Sequence, residues 1–178
     1  LLECKEITGQ LSFMIKEILD TSRLDFTQEK QDAETFDLSE RFPAICEPYQ
    51  LIAKAKEIDF TFSIQGKCPV HTSKKGLEKI LSNLLSNAVS YTKPGRKITV
   101  LLNARQIKIE NECTPIPPDK LAHVFEPFYR PDFARDRKDG GNGLGLYIVD
   151  TLSKALGLPY QFEATQNPPG MCFTLYLS

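Results

Sequence analysis

The sequence predicts an α+β fold. It is a two-layer α/β sandwich with a mixed β-sheet covered by helices on one face, preceded by one N-terminal helix. Three observations carry this expectation. Apolar residues recur at helical spacing through residues 73–91, short alternating segments lie on both sides of that helix, and one pair of alternating segments is joined by a turn of hairpin length. Strands and helices are interspersed, and no internal repeat is visible.

Residues 1–24 read as a helix. Cys4, Ile7, Leu11, Met14 and Ile18 follow spacings of three and four, while Ile15 and Leu19 widen the stripe. The pattern suits an ordinary amphipathic helix or half of a helical hairpin that pairs with another chain. Gly9 weakens it slightly. The polar run Asp25–Glu34 reads as a linker. From Phe36 the pattern changes: Ser39 is a candidate helix cap, Pro43 suits only the first turn, and Pro48 is expected to kink or restart the helix. Phe60, Phe62 and Ile64 alternate with Thr61, Ser63 and Gln65, as in a half-buried strand. Within 73–91, the buried face is expected to hold Leu77, Ile80, Leu81, Leu84, Leu85 and Ala88.

Strands follow at Ile98–Leu102 and Ile107–Asn111, joined through Asn103–Gln106. Residues 112–142 are rich in proline, glycine and charge, and a loop of that length in a small domain is usually functional. Leu144–Leu156 reads as a helix. Tyr160–Ala164 and Met171–Leu177 read as strands, with Met171, Phe173, Leu175 and Leu177 on one face.

Composition narrows the function. A chain of 178 residues holds one domain and a short appendage, and 41% hydrophobic with 25% charged residues argues against disorder. A formal charge of −1 supplies no basic field, so nucleic acid is not an expected partner and any phosphate site must be local. The five cysteines are scattered and form no CxxC pair, so a zinc site or disulfide framework is not expected and a reducing compartment is the default. No apolar run approaches membrane-spanning length and no signal peptide is visible. The chain begins in the middle of a helical pattern, which reads as a piece of a larger protein.

Three segments carry chemistry. Gly140-Gly-Asn-Gly143-Leu-Gly145-Leu146 lets the backbone approach a ligand closely, and the helix after it presents unpaired N–H groups suited to phosphates. No hydrophobic strand leads into these glycines, which excludes the dinucleotide-binding fingerprint. Asn83 and Asn87 lie four apart on one helical face, opposite the leucines, where carboxamide oxygens can hold Mg²⁺ beside phosphate oxygens. A solvated polar face is the plain alternative. Phe125-Glu-Pro-Phe128-Tyr-Arg130 precedes the charged run Arg135–Asp139, as a core anchor before a solvated loop or as a hinged lid whose arginines neutralise phosphate.

In order and content these segments resemble the histidine kinase ATPase family, part of the wider group of DNA gyrase B, Hsp90 and MutL. Ile80–Thr92 is similar to its N box, Val124–Arg130 to its F box, and GGNGLGL to its G2 box. The likeness spans residues 36–178, and SRLD at Ser22–Asp25 resembles the end of the dimerisation hairpin. The resemblance implies the C-terminal helix of the dimerisation and histidine phosphotransfer hairpin at 1–25, a linker at 26–35 and a catalytic ATP-binding domain at 36–178. It implies ATP and Mg²⁺ as cofactors, with the metal at Asn83 and Asn87. Asn83, Asn87 and Arg135 match catalytic positions. Tyr91 matches the aromatic residue against the base, and Gly141, Gly143 and Gly145 the glycines around the phosphates. Arg130, Arg135 and Arg137 match basic positions of the F box or lid. Ile116, Phe125, Leu144 and Leu146 match further nucleotide-contacting positions.

Two departures stand out. The family's G1 box carries an aspartate followed by two spaced glycines; aligning Ile116-Pro117 puts Asn111 at the aspartate, with Cys113 and Pro115 at the glycines. An asparagine oxygen accepts the adenine amino group without charge assistance, so weaker but surviving binding is expected. Vancomycin-resistance-type sensors of Gram-positive bacteria show a similar ENxxxPI pattern. Ser90 stands where the family often has lysine, and Lys79 lies on the same helix face.

Gyrase-like ATPases place a water-activating glutamate where Asn83 stands, so fast hydrolysis is not expected. The implied activity is transfer of the ATP γ-phosphate to a histidine on the protein's own dimerisation domain, then to a response regulator receiver domain. The implied setting is a homodimeric membrane sensor with this part in the cytoplasm. Neither His71 nor His123 has the expected acceptor context. A degenerate docking module, supported by the altered G1 box, and an anti-sigma-type serine kinase remain as alternatives.

Overall fold

A helix of eighteen residues, Lys74–Tyr91 (called α2 below), organises the domain. Its apolar residues fall three and four apart, and Leu77, Ile80, Leu81, Leu84, Leu85 and Ala88 are all buried, joined by Gly76 and Val89. Ser73 caps it by accepting a hydrogen bond from the Gly76 N–H at 3.1 Å. The computed structural model describes residues 32–130 and 143–177. The helix expected at 1–24 and most of the linker lie outside the described residues.

The chain enters through β1 (Ala33–Asp37), which pairs antiparallel with β3 (Pro69–Ser73). Ala33–Thr35 therefore belong to a strand rather than to the expected linker. β3 escaped the sequence reading because it is five residues long, begins with proline and runs straight into the cap of α2.

Between them, α1 (Leu38–Ala55) is one continuous helix that holds Pro43 beyond the first turn where it was expected, and it does not restart at Pro48. Each proline removes one donor from the helical ladder. Burial of Leu38, Phe42, Cys46 and Ala53 along one side offsets that loss, since packing of an apolar face dominates helix stability in proteins. The cap is Asp37, not Ser39: its carboxylate accepts from the Ser39 N–H and the Cys68 N–H, both at 3.0 Å, tying the helix start to the segment before β3.

The main sheet holds β2 (Asp59–Gln65), β4 (Lys97–Asn103), β5 (Gln106–Glu112), β7 (Pro169–Tyr176) and β6 (Tyr160–Gln166), in that spatial order. β2 and β4 are parallel and the other pairs antiparallel, so the sheet is mixed as expected. Asn103 closes the β4–β5 hairpin by accepting from the Arg105 and Gln106 N–H groups at 2.9 and 3.0 Å.

One sheet face carries Ile98, Val100, Leu102, Ile107, Ile109, Phe173 and Leu175, all buried in a core shared with α1, α2 and α4 (Gly145–Leu156). The other face carries Thr99, Lys108 and Glu110. Cys172 and Thr174 are also buried, because β7 lies inside the sheet and its register sets Cys172 between Glu110 and Glu163. A short helix α3 (Pro118–Leu121) interrupts the long loop after β5.

Candidate functional site

A cavity of about 110 Å³ opens between the C-terminal half of α2, the ends of β5 and β7, and the start of α4. Its apolar wall consists of Leu84, Ala88, Ile109, Ile116, Val124, Leu146, Phe162, Met171 and Phe173. Its polar lining comes from Asn87, Tyr91, Asn111, Cys113, Thr114, Tyr129 and the backbone of Gly143 and Gly145. Among the described residues no lining side chain is a carboxylate, lysine or arginine.

Helical spacing puts Asn83 and Asn87 on the same side of α2, and α4 begins directly above them. A β-carbon added at Gly145 would lie 3.3 Å from Asn83 Oδ1 and 3.5 Å from Asn87 Oδ1. Asn83 donates from Nδ2 to the Lys79 carbonyl at 2.8 Å, and a carbonyl can only accept. That bond fixes the amide and turns its oxygen toward Gly145. Leu144, at the N-cap of α4, supplies no side-chain cap, and the helix start places the positive end of its dipole over the two asparagines.

Gly143 joins the glycine segment to the F-box-like segment. Its φ is +82°, and a β-carbon there would come within 2.8 Å of the Phe128 carbonyl carbon and the Tyr129 oxygen. The Phe128 N–H donates to the Gly143 carbonyl at 3.1 Å, and Phe128 itself has a φ of +65°. Glycine is required here by both conformation and proximity.

At the opposite end, Asn111 Nδ2 donates to Thr92 Oγ1 at 3.2 Å, and the Thr92 hydroxyl donates to the Ala88 carbonyl at 2.7 Å. Ile116 lines the cavity and its N–H donates to Met171 Sδ at 3.3 Å, which anchors the loop after β5 to β7.

The predicted site residues divide accordingly. Asn87, Tyr91, Asn111, Ile116, Gly143, Gly145 and Leu146 line the cavity, and Asn83 stands beside it under Gly145. Leu144 is buried in the core, where it packs rather than lines. Phe125 is not on the cavity wall: its ring packs against Tyr160 at 5.2 Å and edge-on to Phe162 at 6.0 Å, anchoring its segment to β6. Val124 and Tyr129 are the members of that segment that reach the cavity. Arg130 is half-buried and absent from the lining. Arg135, Arg137 and Gly141 lie outside the described residues. Met171, Phe162 and Phe173 are lining residues that sequence reasoning assigned only to strands, since alternation marks burial but not which buried residues face a gap.

His71 bonds Thr35 at 2.9 Å, and His123 pairs with Glu126 at 2.7 Å and packs on the Tyr129 ring at 5.8 Å; both are exposed and neither lines the cavity. Burial raises the Cys46 thiol to about 12 and, with the Asp37 charge, the Cys68 thiol to about 11, so both are structural.

An apolar slot with amides at one end, and a helix N-terminus over two asparagines at the other, has the polarity to take a flat ring carrying an anionic tail. The fold and the site together are those of a nucleotide-binding α/β sandwich. The chain belongs to the histidine kinase-, DNA gyrase B- and HSP90-like ATPase family, whose model matches residues 72–178. Its relatives are sensor histidine kinases. Sensor histidine kinase CusS of Escherichia coli O157:H7 is 32% identical over 97% of this chain, and sensor protein VanSB of Enterococcus faecalis 31% over 99%. The chain spans only 36% and 40% of those two proteins. Among solved structures, the mycobacterial sensor histidine kinase MprB matches with a TM-score of 0.67 and 25% identity, over 81% of this chain and 97% of that one. Acinetobacter baumannii histidine kinase AdeS matches in fold, with a TM-score of 0.71 at 22% identity over 98% of this chain and 82% of that one. No helix among the described residues is long and apolar enough to cross a membrane.

Proposed function

We propose that this chain is the ATP-binding catalytic part of a sensor histidine kinase and directs the γ-phosphate of ATP to a histidine on the dimerisation domain of its own protein. The observation that carries this is the convergence of Asn83, Asn87 and Gly145 at the start of α4. Residues 1–25 would then be the second helix of that domain, 26–35 the linker and 36–178 the catalytic domain. The whole protein would be a homodimeric membrane sensor, with this part in the cytoplasm and a response regulator receiver domain as its downstream partner.

The residues present fit a magnesium nucleotide. Asn83 Oδ1 is turned toward Gly145 by the bond its nitrogen makes, and oxygen is the donor that Mg²⁺ takes. Asn87 lies one turn further along and lines the same cavity. Gly143 and Gly145 keep backbone close to the space where phosphates would lie, and a β-carbon at the second would fill it. Asn111 would accept from the adenine amino group, with Tyr91 beside the base and Ile116 and Leu146 on its apolar walls. Arg135 and Arg137, with Arg130, would balance phosphate charge. Magnesium, when bound, neutralises phosphate charge as the phosphoryl group departs. The protein's part is to hold the tail straight and dry for an incoming nucleophile. No carboxylate stands at Asn83 to activate water, so transfer is favoured over hydrolysis.

The test uses this chain, labelled ATP and Mg²⁺, with a dimerisation hairpin bearing an acceptor histidine from a related kinase. Label is expected on the hairpin and not on this chain, and N87D is expected to abolish transfer. Label on this chain in the absence of the hairpin, or no binding of ADP with Mg²⁺ by calorimetry, would overturn the reading.

A further inference from the structure

Thr92 follows the last residue of α2 and is buried, with 5% of its surface exposed. Its hydroxyl donates to the Ala88 carbonyl at 2.7 Å. A hydroxyl carries one proton and a carbonyl has none, so this bond commits the Thr92 proton. Toward its other neighbour Oγ1 can only accept. That neighbour is the side chain of Asn111, 3.2 Å away. The amide nitrogen is the end that suits this contact: the Ala88 carbonyl also accepts the Thr92 N–H at 3.1 Å, so an oxygen there would either set lone pair against lone pair or draw the hydroxyl proton off Ala88, and in both cases one of the two side-chain bonds is given up. With Nδ2 held by Thr92, Oδ1 is the end of the amide left to the cavity that Asn111 lines.

The geometry points to Thr92 as a positioning residue that makes a neutral asparagine act as an acceptor-only group, and so selects 6-aminopurine over 6-oxopurine nucleotides. This rests on the nucleotide site proposed above. A free asparagine presents either end: its oxygen accepts from an adenine amino group, and its nitrogen donates to the 6-oxo group of hypoxanthine or guanine. A carboxylate has no second option. The Ala88–Thr92–Asn111 chain disfavours that option for the asparagine, because turning the amide over would give up one of the two bonds made by a buried hydroxyl. Discrimination therefore survives the exchange of carboxylate for carboxamide, even though charge assistance is lost.

The experiment measures dissociation constants of ADP and IDP, each with Mg²⁺, by calorimetry on the full chain. Wild type is expected to prefer ADP by about tenfold or more, the scale of one hydrogen bond made against one clash of acceptors. In T92V the amide is free to turn, so IDP binds more tightly and the preference falls to within about threefold. T92S keeps the hydroxyl and restores the wild-type ratio. In N111D the group is acceptor-only regardless, so adding T92V leaves its ratio unchanged. Loss of preference to the same extent in both backgrounds would mark a merely structural role and overturn the proposal, as would an unchanged ratio in T92V. Should T92V fail to fold, N111D against wild type decides: equal ADP preference is expected, and a much larger one in N111D overturns it. Wild type binding neither nucleotide would instead defeat the site assignment itself.

Discussion

Replacing Gly145 with alanine separates a binding role from a folding role. Gly145 opens α4 with helical backbone, so alanine meets no conformational penalty there, and its higher helix propensity contributes up to about 1 kcal/mol in the helix's favour. The added methyl, however, would stand 3.3 Å from Asn83 Oδ1 and 3.5 and 3.6 Å from the Asn87 amide oxygen and nitrogen. Those contacts are tolerable for the protein but occupy the space through which phosphates and a cation would reach the asparagines. Loss of one or two charge-assisted contacts, at about 1.5–3 kcal/mol each, weakens binding by at least about tenfold. G145A is therefore expected to melt at or above the wild-type temperature while binding ADP and Mg²⁺ at least about tenfold more weakly. Thermal melts without nucleotide and calorimetry with it make the two measurements. Wild-type affinity in a stably folded G145A chain would refute the assignment of phosphates to the gap between α4 and Asn83.

Gly143 is the contrasting position. G143A puts a β-carbon within 2.8 Å of backbone at a φ of +82°, so stability and binding should fall together, seen as a lower melting temperature without ligand. Asp37 gives a pH test. Hydrogen bonds from Ser39 and the Cys68 N–H hold its carboxyl below the ordinary value of 3.8, so the stability it contributes is present above that pH and is lost as pH falls through the lower folded-state value. D37N keeps a cap but cannot titrate, and its acid melting curve should lack that component; an identical curve would sink the assignment. Cys113 is half-exposed on the cavity wall, whereas Cys46, Cys68 and Cys172 are buried. Among these four, a maleimide should label Cys113 first, followed by mass spectrometry, and ADP with Mg²⁺ should slow that labelling. Chelation of divalent cations should weaken ADP binding well over tenfold, since the described lining carries no cationic side chain; unchanged affinity in chelator would remove Asn83 and Asn87 from the metal's coordination.

The sheet strands and both long helices near the site were legible because each shows a single period over seven or more residues. β3 was not, because five residues starting at proline give alternation nothing to repeat. The unbroken α1 was not, because local rules at Pro43 and Pro48 were outweighed by burial of Phe42 and Cys46, a tertiary effect. Asn83, Asn87 and the glycines were legible as a motif, but their convergence depends on α4 starting over α2. Phe125 misled for a similar reason. The motif marks the segment, while packing against Tyr160 and Phe162 decides that Val124 and Tyr129 face the cavity instead.

The cavity's amides follow one logic. Asn83 is oriented by a carbonyl and Asn111 by a hydroxyl whose proton is already committed, and each is thereby left with oxygen toward the cavity or the start of α4. Neutral oxygens oriented in advance draw in a cation or an amino group without repelling phosphates, as a carboxylate on the lining would. The chain's net charge of −1 makes this distinction matter, because no long-range field draws the nucleotide in. In the proposed site, attraction would then be local: the start of α4, the glycine backbone and the amide oxygens, with the cation and the arginines of the adjoining segment. A site built that way would gain selectivity from which atom each amide presents, and under the proposal Thr92 and the Lys79 carbonyl set that choice by holding the amide nitrogens.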